Sequence, residues 1–224
     1  MMTDLLADTS GLISALGDSS KANRAGAQLH AMIESGGAAT LLETLLPQMV
    51  GMEGVRSTGG QRMVAQLLSD ATHNLGSDAL SHLPRIVELT AHALGDGEAS
   101  VREAFASSLA QAARNTSRDA TGRQLLPLLF RPLLQLLDKP NRPLQHGAAR
   151  ALREVIRSLQ PAQLRAALPS LVNSLRRHLK SVGTHGRASL LECAAGLLQA
   201  LPDHFTPYTL AVLPLALQAS RESM

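Results

Sequence analysis

Residues 125–138 read LLPLLFRPLLQLLD, a stretch with the apolar density of a buried helix that nevertheless carries Pro127 and Pro132. A proline in a helix interior removes a hydrogen bond and costs about 3 kcal/mol, so its presence needs a reason. Leu126-Pro127 falls in a series with Leu46-Pro47, Leu83-Pro84, Leu168-Pro169 and Leu213-Pro214, whose prolines stand 37, 43, 42 and 45 residues apart. A near-constant step of that size marks a repeat array.

Composition says what the repeated unit is made of. The chain has 224 residues and is 45% hydrophobic, enough for a short solenoid with a continuous core. Aromatics are only 2% while Leu and Ala dominate, which favours helix over strand and gives an all-α expectation. Cys193 is the single cysteine, so no internal disulfide forms and a disulfide-stapled secreted domain is excluded. The N-terminus, MMTDLLADTS, has Asp4 and Asp8 where a signal peptide carries basic residues, and no apolar run reaches the roughly 20 residues of a membrane span. The expectation is a soluble intracellular protein with no membrane partner.

Charge is unevenly spread. Residues 1–112 hold six Lys/Arg against twelve Asp/Glu, and residues 113–224 hold fifteen against six, so the halves carry −6 and +9. A one-sign field of this kind steers and orients association with an acidic partner.

Each Leu-Pro opens a helical pattern that a short polar loop and a second amphipathic helix follow. Leu168, Leu171, Val172, Leu175 and Leu179 lie on one helical face, as do Ala148, Ala149, Leu152, Val155, Ile156 and Leu159. The loops repeat too: Asp18 precedes Arg24 by six residues in GDSSKANR, and Asp96 precedes Arg102 by six in GDGEASVR. Arg24, Arg62, Arg102, Gln145 and Arg187, as openings of second helices, step by 38, 40, 43 and 42, in agreement with the prolines. The Asp is expected to accept backbone N–H bonds at the turn, and the Arg to reach the Asp of a neighbouring unit. The spacing predicts one domain of five hairpins, near 4–35, 38–74, 80–116, 123–159 and 165–200, and an extra helix near 207–221. TPYTLAVLPLALQ in that last helix is apolar enough to read as an array that continues.

A hairpin of about 40 residues with proline in its first helix, a loop Asp and Val-Arg opening the second, as in Asp96, Val101 and Arg102, resembles the HEAT repeat. HEAT first helices bear a proline and bend. On that reading Pro127 sits in a first turn, where its missing N–H costs little, and Pro132 makes the kink. A narrower resemblance lies in FRPLLQLLDKPNRPLQHGAARALREVI (130–156), LPSLVNSLRRHLKS and GRASLLECAAGLL, similar to the N-terminal HEAT domain of the TORTIFOLIA/SPIRAL microtubule-associated proteins of plants. That family's phrase Asn-Lys-x-Val-Gln-x-Gly-Ala-Ala-x-x-Leu stands here as Asn141, Arg142, Pro143, Leu144, Gln145, His146, Gly147, Ala148, Ala149, Arg150, Ala151, Leu152. The resemblance implies a TOG-like paddle that binds tubulin through its intra-repeat loops and is cytoplasmic and cytoskeleton-associated. Tubulin-binding TOG domains commonly carry an exposed aromatic in the first loop, whereas SSKANR has none.

Stacked hairpins align their loops along one edge. That edge would hold Lys21, Arg24, Arg56, Arg102, Lys139, Arg142, Lys180, His185 and Arg187, a basic strip suited to acidic tubulin. Lys21, Arg56, Lys139, Arg142 and Lys180 are the preferred contacts, since Arg24, Arg102 and Arg187 equally fit an internal Asp–Arg ladder. The alternative is a scaffold that holds a peptide or helix of another protein on the face of the second helices. Arg150, Arg153 and Arg157, with Arg176, Arg177 and Lys180, could meet phosphates, but the scarcity of aromatics argues against nucleic-acid stacking, and helical spacing makes the first three a solvated face. The eight histidines form no HExxH or His-Cys group, Gly59-Gly60 lacks a P-loop lysine, and Cys193 lies on an apolar face. The expectation is therefore no metal, no cofactor and no catalysis.

Overall fold

The computed structural model describes residues 11–12, 14–18, 20–45, 55, 57–117, 120–180 and 184–221, with the backbone alone at 44, 45, 184, 185 and 219–221. All regular structure among them is helical. Short helical residues 14–17 lead through the GDSSKANR turn into α1, Ala22–Met32. A turn over Ile33–Gly37 follows, in which Gly36 takes φ 97°, the left-handed geometry that ends a helix and that only glycine adopts readily. Then come α2 (Ala38–Thr40) with a wide turn over Leu41–Leu45, α3 (Thr58–Leu75) and a 3₁₀ segment over Gly76–His82. The centre is built from α4 (Leu83–Leu94), α5 (Ala99–Thr116), α6 (Gly122–Leu125), α7 (Arg131–Leu137) and α8 (Arg142–Ser158). The last elements are α9 (Pro161–Arg165), α10 (Leu168–His178), α11 (Thr184–Ala200) and α12 (Pro202–Arg221).

Helix starts are written locally. Ser57 accepts from the Gly60 N–H and Asn141 from the Leu144 N–H, while Thr121 and Gln124 form a capping box. Pro84, Pro143, Pro161 and Pro169 each stand in a first helical turn, where a missing N–H costs least.

The two prolines of LLPLLFRPLLQLLD are handled differently from the sequence expectation. The helix begins at Gly122, so Pro127 lies beyond its first turn, inside a π turn over Leu126–Phe130. There the Arg131 N–H reaches five residues back to the Leu126 carbonyl, and α7 restarts with Pro132 in its opening turn. The bonds that Pro127 and Pro132 cannot donate thus flank one widened turn, which absorbs both. Pro47 lies outside the described residues.

The second helices α1, α3, α5, α8 and α11 pack on one another in series, and α4, α6–α7, α10 and α12 form the other layer of an all-α helical-repeat solenoid. One hydrophobic cluster runs through the stack from Leu16 to Val212, with Phe130 its largest fully buried side chain. Close approach in the second-helix layer comes from small residues: Ala106, Ala110 and Ala113 on α5, and Ala148, Ala149 and Ala151 on α8, are buried. At Gly147 even a methyl would collide with the Leu94 carbonyl at the end of α4, so α8 seats backbone to backbone on the preceding hairpin.

Candidate binding surface along the loop edge

The loops joining the two helices of each hairpin come together through inter-hairpin contacts. Gly60 opens α3 against the carbonyl of Leu16, Gly147 seats on Leu94, and Asp138 reaches Arg177 and His178 at the end of α10. Each contact ties one loop to the next hairpin, so the loops share an edge.

The loops are internally braced. Asp18 Oδ1 accepts from the Ser20 N–H at 2.9 Å and from its hydroxyl at 2.7 Å, which holds the Asp18 carboxyl below its ordinary pKa. Asp96 Oδ1 accepts from the Glu98 N–H at 2.7 Å. Both aspartates therefore make the side-chain turn that their position suggested. Arg102 corrects the ladder expectation. Its Nη1 donates to the carbonyl oxygens of Asp96 at 2.6 Å and Gly97 at 2.8 Å, closing its own loop, and among the described residues it meets no Asp of another unit. Gln145, at the matching position, donates through Nε2 to the carbonyls of Leu137 at 3.1 Å and Lys139 at 2.9 Å.

A cross-unit bridge does exist, through a different residue. Arg177 pairs with Asp138 at 3.0 Å, and the Nε2 of buried His178 lies 3.4 Å from the same carboxylate. Burial lowers the His178 pKa, Arg177 adds to this, and Asp138 opposes it. Sequence spacing gave no sign of this bridge, because it depends on the register between hairpins.

Of the expected contacts, Lys139, Arg142 and Lys180 are exposed and make no ion pair among the described residues. Lys139 and Arg142 flank the braced loop before α8, and Lys180 follows α10, whose end bridges to that loop. Lys21 is exposed and pairs weakly with Asp18 at 3.4 Å. Arg24 is exposed, Arg102 is spent on its loop, and Arg187 is partly buried with a polar interaction of its own. Arg56 and the His185 side chain lie outside the described residues. The edge thus concentrates exposed cations in its fourth and fifth loops.

The arginine row on α8 serves another end. Arg150 pairs with Glu103 of α5 at 2.8 Å, and Arg153 and Arg157 both pair with Glu192 of α11 at 3.0 Å. At the N-terminal end His30 meets Asp70 at 3.2 Å. These partners tie successive second helices together: Arg157 stays on the solvated face at 53% exposure, while Arg153, at 15%, is drawn into the seam. Deeper in the same layer the buried Ser108 hydroxyl donates to the Ala65 carbonyl at 2.7 Å, and the Cys193 thiol makes the analogous contact with Ala149 at 3.8 Å. Burial drives the Cys193 pKa far above the ordinary thiol range, which makes the group unreactive. No helix of the described residues is long and apolar enough to cross a membrane.

The family model described as TORTIFOLIA1 N-terminal matches residues 4–220. The chain belongs to the TORTIFOLIA1 N-terminal family. No curated protein matches it. Within this family member, the phrase at 141–152 reads as a hairpin-closing device: Asn141 caps α8, Gln145 braces the loop, Gly147 admits the Leu94 carbonyl, and Ala148 and Ala149 are fully buried. The phrase is structural at these positions, while its Arg142 and the neighbouring Lys139 are exposed.

Proposed function

We propose that the loop edge binds tubulin or the microtubule lattice, and that the domain acts by binding and not by catalysis. The observation that carries this reading is the exposed trio Lys139, Arg142 and Lys180: the first two flank a loop whose Leu137 and Lys139 carbonyls Gln145 holds, and the third follows a helix end that Arg177 ties to Asp138. Cations on a braced loop lose little freedom when they meet an acidic surface. Family membership supports the same reading, through the resemblance to microtubule-associated proteins, as does the +9 charge of the C-terminal half. A cytoplasmic, cytoskeletal location follows from it.

Co-sedimentation with assembled microtubules over a salt series tests the proposal, with subtilisin-trimmed microtubules in parallel. Pelleting that falls with salt, and is lost when Lys139, Arg142 and Lys180 are all changed to Glu with helicity unchanged, is the expected result. Loss on trimming assigns the contact to the acidic tails. Equal pelleting of the triple variant refutes the loop-edge reading.

A second reading is a scaffold that holds a peptide or helix on the second-helix face. It is favoured by a groove of about 640 Å³ across α1, α3 and α5, lined by Asn23, Arg62, Met63, Gln66, Ser107 and Gln111 among others. Absence of pelleting at low salt favours this reading.

A further inference from the structure

The +9 charge of residues 113–224 is divided unequally between the two layers. On the second helices it is met by acids, Arg150 by Glu103, and Arg153 and Arg157 by Glu192. On the first helices it is not. Arg123 of α6, Arg131 of α7, Arg165 of α9 and Arg176 of α10 are exposed and make no ion pair among the described residues.

Part of this excess gathers in one furrow. Between α7 and α10 runs a cleft of about 200 Å³, lined among others by Arg131, Gln135, Asp138, Ser170, Ser174 and Arg177. Arg177 is spent on Asp138 at 3.0 Å, which leaves the Arg131 guanidinium as the unmatched charge of the lining. The Ser170 and Ser174 hydroxyls and the Gln135 amide make no hydrogen bond to another described residue. On the far side of Leu126, which also lines the cleft, α9 seats on α6: a Cβ on Gly122 would strike the Gln163 carbonyl and crowd the Ala166 Cβ. Arg123 follows Gly122 and Arg165 precedes Ala166, so both stand beside that contact.

The neighbouring furrow serves as a control. Between α4 and α7 it is lined by Val87, Ala91 and Leu136, and its charged members are Glu88, Asp138 and Lys139. Two carboxylates against one cation there become one carboxylate against two cations between α7 and α10. Helix stacking alone therefore does not impose the basic lining.

An arginine fork beside two hydroxyls is a donor set for a carboxylate. Phe130 is the only Phe, Tyr or Trp between residues 122 and 178 and is fully buried, so no ring is offered to a nucleic-acid base. The cleft is recessed, which a flat bilayer does not fill, and too small for a helix about 10 Å across. From Arg123 to Asp138 the first helix rises about 22 Å. That is the reach of about seven residues of extended chain.

We infer that the furrow between α7 and α10 binds an extended acidic peptide of a partner protein. One Glu or Asp carboxylate meets Arg131 and the Ser170 and Ser174 hydroxyls, and neighbouring carboxylates meet Arg123 and Arg165. The site uses none of Lys139, Arg142 and Lys180, so it stands whatever the loop edge binds.

Fluorescence anisotropy with a labelled hepta-glutamate peptide over a salt series tests this. The expected result is binding that falls with salt and that Arg131→Glu weakens about tenfold. Arg176→Glu makes the same charge change outside the lining and is expected to weaken binding by less than about twofold. Ser170→Ala with Ser174→Ala changes no charge and is expected to cost about threefold. Arg131, Ser170 and Arg176 are exposed and Ser174 is half-buried, so the fold is retained in each variant. No binding at low salt, equal losses from Arg131→Glu and Arg176→Glu, or indifference to the serine changes overturns the proposal. A single-stranded oligonucleotide or phosphatidylserine vesicles that displace the peptide at lower charge concentration assign the furrow to phosphates and overturn it equally.

Discussion

Gln145 reaches six residues back to the Lys139 carbonyl at 2.9 Å, just as Arg102 reaches six back to the Asp96 carbonyl at 2.6 Å. Two chemically different side chains perform one task, because either supplies N–H donors at the end of a long stem. Arg102→Gln is therefore expected to keep stability. Arg102→Ala and Gln145→Ala are each expected to lose about 1–2 kcal/mol. Urea unfolding measures both, and hydrogen exchange should show the loss of protection confined to the affected loop.

Gly147 and Gly196 separate close packing from helix propensity. Alanine at either position gains about 1 kcal/mol of intrinsic helix preference. At Gly147 the new methyl strikes the Leu94 backbone, whereas at Gly196 it meets only Ile156 Cγ2 at 3.4 Å. Gly147→Ala is expected to destabilise by about 1–3 kcal/mol, and Gly196→Ala to be neutral or stabilising. Thermal melting of the two variants decides.

Single truncations divide the loop edge into binding and bracing residues. Lys139→Ala, Arg142→Ala and Lys180→Ala are each expected to weaken microtubule binding by about 0.5–1 kcal/mol and to leave stability unchanged. Arg102→Ala should lower stability with a much smaller effect on affinity. Binding isotherms and melting curves on one variant set test this; a uniform response from all four positions refutes the division.

His178 ties stability to pH. Its pKa is lowered in the folded chain, first by burial, so the unfolded chain binds the proton more readily. The stabilisation is complete above the unfolded pKa near 6.5 and falls as pH drops below it, until the folded group itself titrates. Unfolding free energies at neutral pH and at mildly acid pH should diverge less for His178→Gln than for the parent chain.

What could be read from the sequence was local. The proline series and loop spacing point to the helical-repeat class because proline in a first turn, as at Pro84 and Pro169, and Asp at a turn act on neighbouring residues, although Pro127 and Pro214 prove to lie deeper within their helices. Asp18 and Asp96 accept the bonds that their position suggested. The partner of Arg102 was not legible, since a six-residue spacing fits a loop carbonyl and a neighbouring Asp equally well. The π turn that accommodates Pro127 and Pro132 needs one extra residue of register, which composition does not record. Pairs such as Arg153–Glu192 and Asp138–Arg177 depend on how one hairpin lies on the next, and no single unit contains that information. Lys139, Arg142 and Lys180 stand out as exposed cations only after Arg102 and the α8 row are assigned to internal partners.

Cys193 gives this stack a built-in clock. Its sulfur lies in the seam between α11 and α8, wholly shielded from solvent, and it is the only thiol in the chain. A thiol reagent added to the native protein can react only while that seam is parted, so the labelling rate reports how often two adjacent hairpins separate. The fluctuation of one joint can thus be timed at a residue the sequence already carries.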